Sequence, residues 1–381
     1  MFVVALISGS VCLAAWLYLV LARGRFWRIP QTAAQAQAEP DQVIAVIIPA
    51  RNEADAIAQA IASLLRQNYA APFHIFVVDD NSSDGTAERA RNAAASASAH
   101  VTVISGRQLP PGWSGKLWAV QQGVEQALRL CPDFLLLTDA DIQHAPSDIA
   151  TLVGIAESGG YDLASFMVKL HCRAPAEKLL IPAFVFFFFM LYPPQWVGDP
   201  RRTIAGAAGG CLLVRPAALE RAGGVAAIRQ EIIDDCALAR AVKQSGGSVW
   251  LGATAETRSL RPYNSFARIE RMIARTAFNQ LKHSAWLLLA TLLGMLLLFL
   301  LPLVLLVSGS AWLAIIGALA FALMMTAYEP MVRFYGLNPL WSLSLPLSGA
   351  FFTAATVHSA MRYWRGRGGP WKGRAQDVGA K

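Results

Sequence analysis

Four long apolar stretches constrain the fold of this chain more than any other feature. One begins the sequence and three lie near its end, at 2–21, 285–307, 311–328 and 337–361. A helix needs about 20 apolar residues to cross the hydrocarbon core of a bilayer. The first two stretches meet this length, the third is slightly short, and the fourth contains two prolines. We therefore expect a membrane protein with a polar middle part.

Composition and charge agree with a membrane location. Hydrophobic residues make up 55% of the chain and its mean hydropathy is +0.40, above that of ordinary soluble domains. The net charge is +8, and the basic residues crowd beside the apolar stretches, at 23–28, 258–282 and 362–374. This placement favours anionic lipid head groups as partners and argues against nucleic acid. The five scattered cysteines indicate neither a zinc site nor a disulfide framework. Protein partners are not identified by the sequence.

The first apolar stretch is predicted to be an uncleaved anchor rather than a signal peptide. Its charges, Arg23, Arg25 and Arg28, follow the apolar run instead of preceding it. The positive-inside bias then places the polar middle part on the cytoplasmic side of the inner membrane. To keep the basic end of the chain on that side as well, we interpret 337–361, with Pro346, as a re-entrant or hairpin element.

The middle part has the pattern of an α/β domain. Short apolar runs at 43–48, 74–78, 101–104 and 134–138 alternate with helical periodicity. Such strands predict a mostly parallel sheet covered by helices on both faces, with ligands bound beyond the carboxyl ends of the strands. One further apolar run, 179–192, fits either a core helix or an interfacial element that dips into the lipid.

Acidic residues follow two of the predicted strands. Asp79 and Asp80 end the second strand in VVDDNSSDG, where they can bind a base or ribose or serve turn chemistry. Asp139 and Asp141 follow the fourth strand with one residue between them, so both carboxylates can face one ligand. Carboxylate oxygens suit Mg²⁺ or Mn²⁺, which bridge such groups to phosphate.

Two further motifs carry charge at helical spacing. Asp234 and Asp235 open a helix, where the dipole favours carboxylates or where one of them can act as a general base. Arg271 and Arg275 lie on one helical face with Arg268, and they can face lipid phosphates or clamp a diphosphate. Lys116 in PPGWSGKLWA can serve similarly.

Taken in this order, the motifs resemble the inverting glycosyltransferases with the GT-A nucleotide-diphospho-sugar fold. The residues that carry the resemblance are IIPARNEADAI (47–57), VVDDNSSDG (77–85), DAD (139–141) and the Asp-Asp pair at 234–235. PPGWSGKLWAVQQG (110–123) and GPWKGR (369–374) are similar to membrane glycosyltransferases of hopanoid and carotenoid pathways. The resemblance covers 43 to about 280, and it gives the expected organisation: an anchor at 1–28, a linker at 29–42, a catalytic domain at 43–280, membrane helices at 281–361 and a basic tail at 362–381.

The resemblance implies a role for each matching residue. Asp235, or its neighbour Asp234, would be the catalytic base, and Asp139 and Asp141 would hold Mg²⁺ or Mn²⁺. The nucleotide-sugar donor would be bound by residues of all the motifs, namely Pro49, Arg51, Glu53, Asp79, Asp80, Lys116, Asp139, Arg271 and Arg275.

The resemblance also implies the reaction, with alternatives. The Q-x-x-R-W signature of processive synthases is present only as RIERM, which lacks Gln and Trp. We therefore expect transfer of a single sugar from a nucleotide donor, UDP-linked by preference, to a membrane lipid such as a hopanoid, with inversion. The alternatives are a polyprenyl phosphate acceptor and, more remotely, a non-catalytic membrane scaffold.

Overall fold

The structure is a computed structural model, and it describes residues 2–29, 41–95 and 100–366. These residues group into two compact units, which are described separately. The helical unit comprises Met1–Ile29, Cys172–Gln195 and Pro262–Gly369 within the described ranges. The sheet unit comprises Pro30–His171 and Trp196–Arg261 within the same ranges. Most of the predicted linker and basic tail lie outside the described residues, as does the GPWKGR motif.

The sheet unit contains an eight-stranded sheet in the order β3-β2-β1-β4-β7-β6-β8-β5. In chain order the strands are β1 (Ile44–Ala50), β2 (Phe73–Asp79), β3 (Val101–Ser105), β4 (Phe134–Leu137), β5 (Ile142–Gln143), β6 (Leu163–Lys169), β7 (Leu212–Val214) and β8 (Val249–Ser259).

The helices of both units are also numbered in chain order. They are α1 (Phe2–Leu21), α2 (Ile57–Leu64), α3 (Thr86–Ala94), α4 (Gly115–Ala127), α5 (Asp148–Gly159), α6 (Pro175–Leu191), α7 (Pro194–Gly198), α8 (Pro216–Arg221), α9 (Asp234–Gln244), α10 (Phe266–Gln280), α11 (Ala285–Met295), α12 (Leu301–Leu306), α13 (Ala311–Phe334) and α14 (Leu345–Trp364).

The sheet is mixed, and its first half is parallel. Strands β3, β2, β1 and β4 run in one direction, and β1 is buried along its whole length because its side chains are covered on both faces. The register pairs Ala50 with Asp79, so the carboxyl ends of β1 and β2 meet at one edge. All four predicted strands are confirmed. Strand β7 enters antiparallel to β4 and β6, which makes the expected mostly parallel sheet a mixed one.

Local sequence explains where the helices around this edge begin. Ser114 caps α4 by accepting a hydrogen bond from the Leu117 amide at 3.3 Å. Asp84 accepts from the Thr86 amide at the start of α3 and from the Ala54 amide at 3.1 Å. Both caps hold their helices beside the carboxyl ends of the strands.

Apolar helices make up the helical unit. Five segments are long and apolar enough to cross a membrane: Phe2–Leu21, Pro175–Gly198, Ala285–Leu306, Ala311–Phe334 and Pro339–Trp364. Helix α6 packs into this unit through Phe186 and Phe187, whose rings lie 5.2 Å from that of Tyr328 and 5.0 Å from that of Phe352. The 179–192 run is therefore a largely buried helix of the unit.

The last apolar stretch is a single helix. Residues 339–344 form a 3₁₀ turn, and α14 then continues unbroken from Leu345 to Trp364. Pro346 lies in the first turn of α14, where a missing amide hydrogen costs no helical hydrogen bond. The expectation of a hairpin within 337–361 is therefore wrong, because neither proline falls in a helix interior.

Candidate active site

The loops after β1 and β2 are tied together at the carboxyl edge of the sheet. The Arg51 guanidinium donates to the Asp80 carbonyl and lies 3.4 Å from the Asp80 carboxylate. Asp80 is only 1% exposed. Asp79 is also buried, and its Oδ1 atom has no hydrogen-bond partner among the described residues. An unpaired buried acceptor is costly, so this oxygen is a candidate contact for a ligand donor group.

An arginine that the sequence analysis missed connects the first and fourth strand ends. Arg261 follows β8, and its Nε atom lies 2.6 Å from the Asp141 carboxylate. Its terminal nitrogen lies 2.5 Å from the Glu53 carboxylate. Nothing in the local sequence SLRPY marks this residue, because its role depends on the antiparallel pairing of β8 with β5.

Lys116 lies between two carboxylates that are far apart in sequence. Its ammonium group is 2.9 Å from Asp139 and 2.9 Å from Asp234. Lys116 reaches this position because it occupies the first turn of α4 directly after the Ser114 cap. The structure thus brings together the D-x-D turn, the start of α9 and the lysine that the sequence singled out.

Asp235 is held by backbone amides rather than by a cation. Its Oδ2 atom accepts from the Gly209 amide at 2.7 Å, and its Oδ1 atom accepts from the Cys236 amide at 2.7 Å. Burial and the neighbouring Asp234 carboxylate raise the pKa of Asp235 to about 6, although Lys116 and the two amides act in the opposite direction. A carboxylate with a pKa near neutrality suits general base catalysis.

One cavity of the sheet unit is lined by these groups. Its walls include Pro49, Lys116, Asp139, Asp234 and Asp235. Burial, together with Asp141 and Asp234, raises the pKa of Asp139 against the effect of Lys116. The cavity therefore concentrates more negative charge than its lysine balances.

The donor atoms of this cluster fit a hard divalent cation. Asp139 and Asp141 follow β4 in a turn and offer carboxylate oxygens, which are ligands that Mg²⁺ and Mn²⁺ prefer. In the structure Asp139 pairs with Lys116 and Asp141 with Arg261. The raised pKa of Asp139 indicates that its ionised form is unfavourable beside the other carboxylates. Added positive charge, such as that of a bound cation, would stabilise these ionised groups. In the structure, the Lys116 ammonium group supplies part of that charge.

A second group of potential ligands is fully buried behind the D-x-D turn. The ligand atoms of His144, Asp148 and Cys211 lie within 4.8 Å of one another. Both ring nitrogens of His144 already form hydrogen bonds, at 2.9 Å to Thr138 and 2.9 Å to Asp148. Burial, and then Asp148, raise the pKa of the Cys211 thiol, which disfavours a thiolate ligand. His144, Asp148 and Cys211 therefore belong to a buried hydrogen-bond network.

That network connects the two halves of the candidate site. The Thr138 hydroxyl donates to the Gly210 carbonyl at 2.7 Å, so it accepts the hydrogen bond from His144 Nε2. One proton then lies between His144 Nδ1 and the Asp148 carboxylate. The D-x-D turn after Thr138 is thereby fixed against the loop whose Gly209 amide holds Asp235.

The two predicted diphosphate-binding arginines lie in the helical unit. Arg271 and Arg275 are exposed residues of α10. In the sheet unit, the cations at the carboxylate cluster are Lys116 and Arg261. The donor-binding roles of Arg271 and Arg275 stay predictions.

Comparison with known proteins shows what the sheet-containing segment is similar to. Residues 45–223 match the model of the glycosyl transferase family 2. Curated relatives include the undecaprenyl-phosphate 4-deoxy-4-formamido-L-arabinose transferases of Pseudomonas savastanoi and Yersinia enterocolitica, which are 37% and 31% identical over 131 and 143 residues. These alignments cover 32% and 36% of this chain but only 35% and 39% of the relatives' own length.

A solved structure shares the fold more widely. A mannosyltransferase from Pyrobaculum calidifontis, solved with GDP-mannose and Mn²⁺, is 17% identical and superimposes with a TM-score of 0.53. The match covers 91% of this chain and 98% of that protein. The mixed sheet with helices on both sides is the GT-A architecture that the sequence motifs implied. Residues 45–223 are therefore similar to family 2 glycosyl transferases, and the chain has the GT-A fold.

Proposed function

We propose that this protein is a membrane glycosyltransferase that moves one sugar from a nucleotide diphosphate to a polyprenyl phosphate lipid. The observation that carries the proposal is the convergence of carboxylates on one lysine. Asp139, with Asp141 beside it, and the Asp234–Asp235 pair come from segments almost 100 residues apart, and Lys116 bridges Asp139 and Asp234 at 2.9 Å. Grouping several half-buried carboxylates around one lysine is costly unless a ligand uses their charge.

The donor is proposed to lie along the carboxyl edge of the sheet. The unpaired Oδ1 atom of Asp79 is an acceptor for a base N–H or a ribose hydroxyl. Asp139 and Asp141 are the residues that would hold Mg²⁺ or Mn²⁺. When bound, such an ion supplies positive charge that stabilises a diphosphate leaving group. Arg261 holds Asp141 and Glu53 in place through ion pairs of 2.6 and 2.5 Å.

The transfer step is proposed to be a direct displacement. An oxygen of the acceptor forms a bond to the anomeric carbon of the sugar as the bond to the nucleotide diphosphate breaks on the opposite face. The anomeric centre is inverted, and the diphosphate leaves with the bonding electron pair. Lys116 contributes a fixed positive charge beside Asp139 as that negative charge grows.

A lipid acceptor is favoured by two observations. Among the described residues, five helices are long and apolar enough to cross a membrane, which supports a membrane location. We propose the inner membrane, with the sheet unit on the cytoplasmic side, because basic residues crowd beside the apolar stretches. The names of the curated relatives state an undecaprenyl-phosphate acceptor. This supports the polyprenyl phosphate alternative better than the hopanoid acceptor, which we expected first from the sequence.

A lipid alcohol, of the hopanoid kind or similar, is the second candidate acceptor. The observation that favours it is Asp235, whose pKa of about 6 suits a base that removes a hydroxyl proton. A phosphate oxygen is already ionised near neutral pH and needs no such base. The two candidates therefore differ in their dependence on Asp235.

The acceptor test uses the purified full chain in lipid nanodiscs with Mn²⁺ and a panel of radiolabelled UDP- and GDP-sugars. Undecaprenyl phosphate and a hopanoid alcohol are offered separately to wild type and to Asp235→Asn. We expect wild type to label undecaprenyl phosphate, and Asp235→Asn to keep at least about a tenth of that rate. Labelling of the alcohol alone, abolished by Asp235→Asn, would replace the first candidate with the second. No labelled lipid from any donor would contradict both.

A further inference from the structure

The helical unit contains a basic cavity that the proposed transfer reaction does not use. Helix α10 is amphipathic, with Ile269, Ile273 and Phe278 buried and its arginines exposed. It is fixed to α14 by two hydrogen bonds of Ser359, which accepts from the Phe278 amide at 3.1 Å and donates to the Ala274 carbonyl at 2.6 Å. The exposed face of α10 therefore has a defined position along α14.

Where these two helices meet, their polar side chains enclose a cavity of about 410 Å³. Six residues line it, namely Ala267, Glu270, Arg271, His358, Arg362 and Arg365. Three of the six are arginines, from two different helices.

The positive charge in this cavity is not balanced by the residues that the structure describes. Its single carboxylate, Glu270, is hydrogen-bonded to His358 Nδ1. Among the described residues, the guanidinium groups of Arg271, Arg362 and Arg365 have no ion-pair partner. Arg362 lies in the last turn of α14 and Arg365 is the residue that ends this helix, so their like charges lie one turn apart and repel each other.

The helix dipole explains only part of this cluster. Arg362 and Arg365 lie at the carboxyl end of α14, where a positive charge is favourable. Arg271 lies in the middle of α10, so the dipole gives no reason for its position. An anion that contacts all three guanidinium groups would relieve the repulsion between them.

We propose that this cavity binds the phosphate group of a membrane lipid. Arginine presents paired donors that match phosphate oxygens, and clusters of basic residues at the end of a membrane helix bind anionic head groups. The carboxyl end of α14 also carries exposed apolar side chains next to these arginines in sequence, with Met361 38% and Trp364 58% exposed. The proposal rests on the membrane location given under the proposed function. The lipid is either the phosphorylated acceptor or an anionic phospholipid of the bilayer.

Native mass spectrometry of the full chain in detergent tests this site directly. Undecaprenyl phosphate, phosphatidylglycerol, phosphatidylcholine and inorganic phosphate are titrated separately. For the triple variant Arg271→Gln, Arg362→Gln, Arg365→Gln we expect at least a tenfold loss of affinity for the anionic lipids. The matched control is Arg268→Gln, an exposed arginine of the same helix outside the cavity, and it should bind them as wild type does.

Two results would overturn the proposal. One is equal lipid binding by wild type and the triple variant, or an equal loss in Arg268→Gln. The other is complete displacement of lipid by millimolar inorganic phosphate, which would make the cavity a site for the free anion. If the triple variant does not fold, the single variant Arg271→Gln is used, and a loss of about threefold or more is expected.

The binding measurement is independent of sugar transfer. Arginine-dependent lipid binding without sugar transfer would contradict the proposed function but support the lipid site. Sugar transfer without arginine-dependent lipid binding would support the proposed function but contradict the lipid site. The source of the phosphate follows from kinetics. A raised KM for undecaprenyl phosphate in Arg271→Gln, with kcat unchanged, identifies the acceptor, and an unchanged KM identifies a bilayer phospholipid.

Discussion

At the scale of single residues, Asp235 is a carboxylate whose ionised form is disfavoured by the folded protein. Its pKa rises from 3.8 to about 6 in the folded protein, so its ionised form is less favourable there than in the unfolded chain. The stability that the neutral form provides is fully present below pH 3.8 and is lost as the pH rises through 6. At neutral pH the protein therefore carries an ionised carboxylate that weakens its fold.

The variant Asp235→Asn should accordingly be more stable than wild type at pH 7.5, by up to about 3 kcal/mol. The gain should shrink as the pH falls below 6, because the wild-type carboxyl becomes neutral as well. Thermal unfolding in detergent at pH 7.5 and pH 5 measures both values. A gain that grows on acidification would contradict the assigned pKa.

Asp84 provides a control of opposite sign. Although partial burial acts against it, the hydrogen bonds from Thr86 and Ala54 lower the pKa of Asp84. Its ionised form is therefore favoured by folding, and its contribution is lost as the pH falls. Asp84→Asn should lower the melting temperature at pH 7.5, and this loss should diminish in acid.

Substitution of Lys116 should also change stability. Lys116→Met leaves Asp139 and Asp234 without their shared cation, which should cost about 1 to 3 kcal/mol of stability because these side chains are only half-buried. Added Mn²⁺ should then raise the melting temperature by more than it does in wild type, because it becomes the main positive charge in the cavity. Lys116→Arg is the charge-retaining control. The same Mn²⁺ shift in all three proteins would show that the carboxylates do not bind the ion.

At the scale of elements, the sequence predicted the parallel half of the sheet well. Strands β1, β2, β3 and β4 are continuous apolar runs bounded by turn residues, and that local signal is sufficient to find them. It did not reveal the other half of the sheet, β5 to β8, in which β5 and β7 are only two and three residues long and pair in antiparallel fashion. Arg261 was missed for a related reason, since its contacts with Glu53 and Asp141 depend on pairings distant in sequence.

The buried network around His144 predicts an effect on two loops at once. His144→Gln cannot reproduce both ring contacts, to Thr138 and Asp148, so we expect a loss of about 2 to 4 kcal/mol. Amide hydrogen exchange should accelerate at 138–144 and at 209–212 together. His74→Gln is the matched control, because His74 also contacts a threonine, Thr102, but at an exposed site. Exchange confined to 138–144 would contradict the coupling.

Two glycines test the packing of the helical unit. A Cβ atom on Gly317 would lie 2.7 Å from the Pro302 carbonyl oxygen and 2.9 Å from Leu305, so α12 and α13 approach too closely for a side chain. Gly294 on α11 has nothing within 4 Å of the same position. Gly317→Leu should lower the melting temperature in detergent by several degrees, while Gly294→Leu should change it little. Equal effects would mean that the two helices do not pack at Gly317.

At the scale of the whole molecule, each of the two units is built from segments that are separated in the sequence. One segment, 172–195, lies in the middle of the sequence, and another, 262–280, lies at the end of the predicted catalytic domain. Both group with the terminal apolar helices. The sequence left this open for 179–192, because an apolar run of that length fits a core helix as well as an interfacial one. The carboxylate roles, in contrast, rest on motif order and are still predictions.

We propose above all that the carboxylates around Lys116 form a glycosyl donor site. The most direct measurement is sugar transfer by the purified full chain with Mn²⁺, a nucleotide sugar and undecaprenyl phosphate, compared between wild type and Asp139→Asn. Glu88→Gln, an exposed carboxylate on α3, serves as the control. We predict a rate loss of at least about 1,000-fold for Asp139→Asn and none for Glu88→Gln. A folded Asp139→Asn protein that transfers sugar at the wild-type rate would contradict the claim.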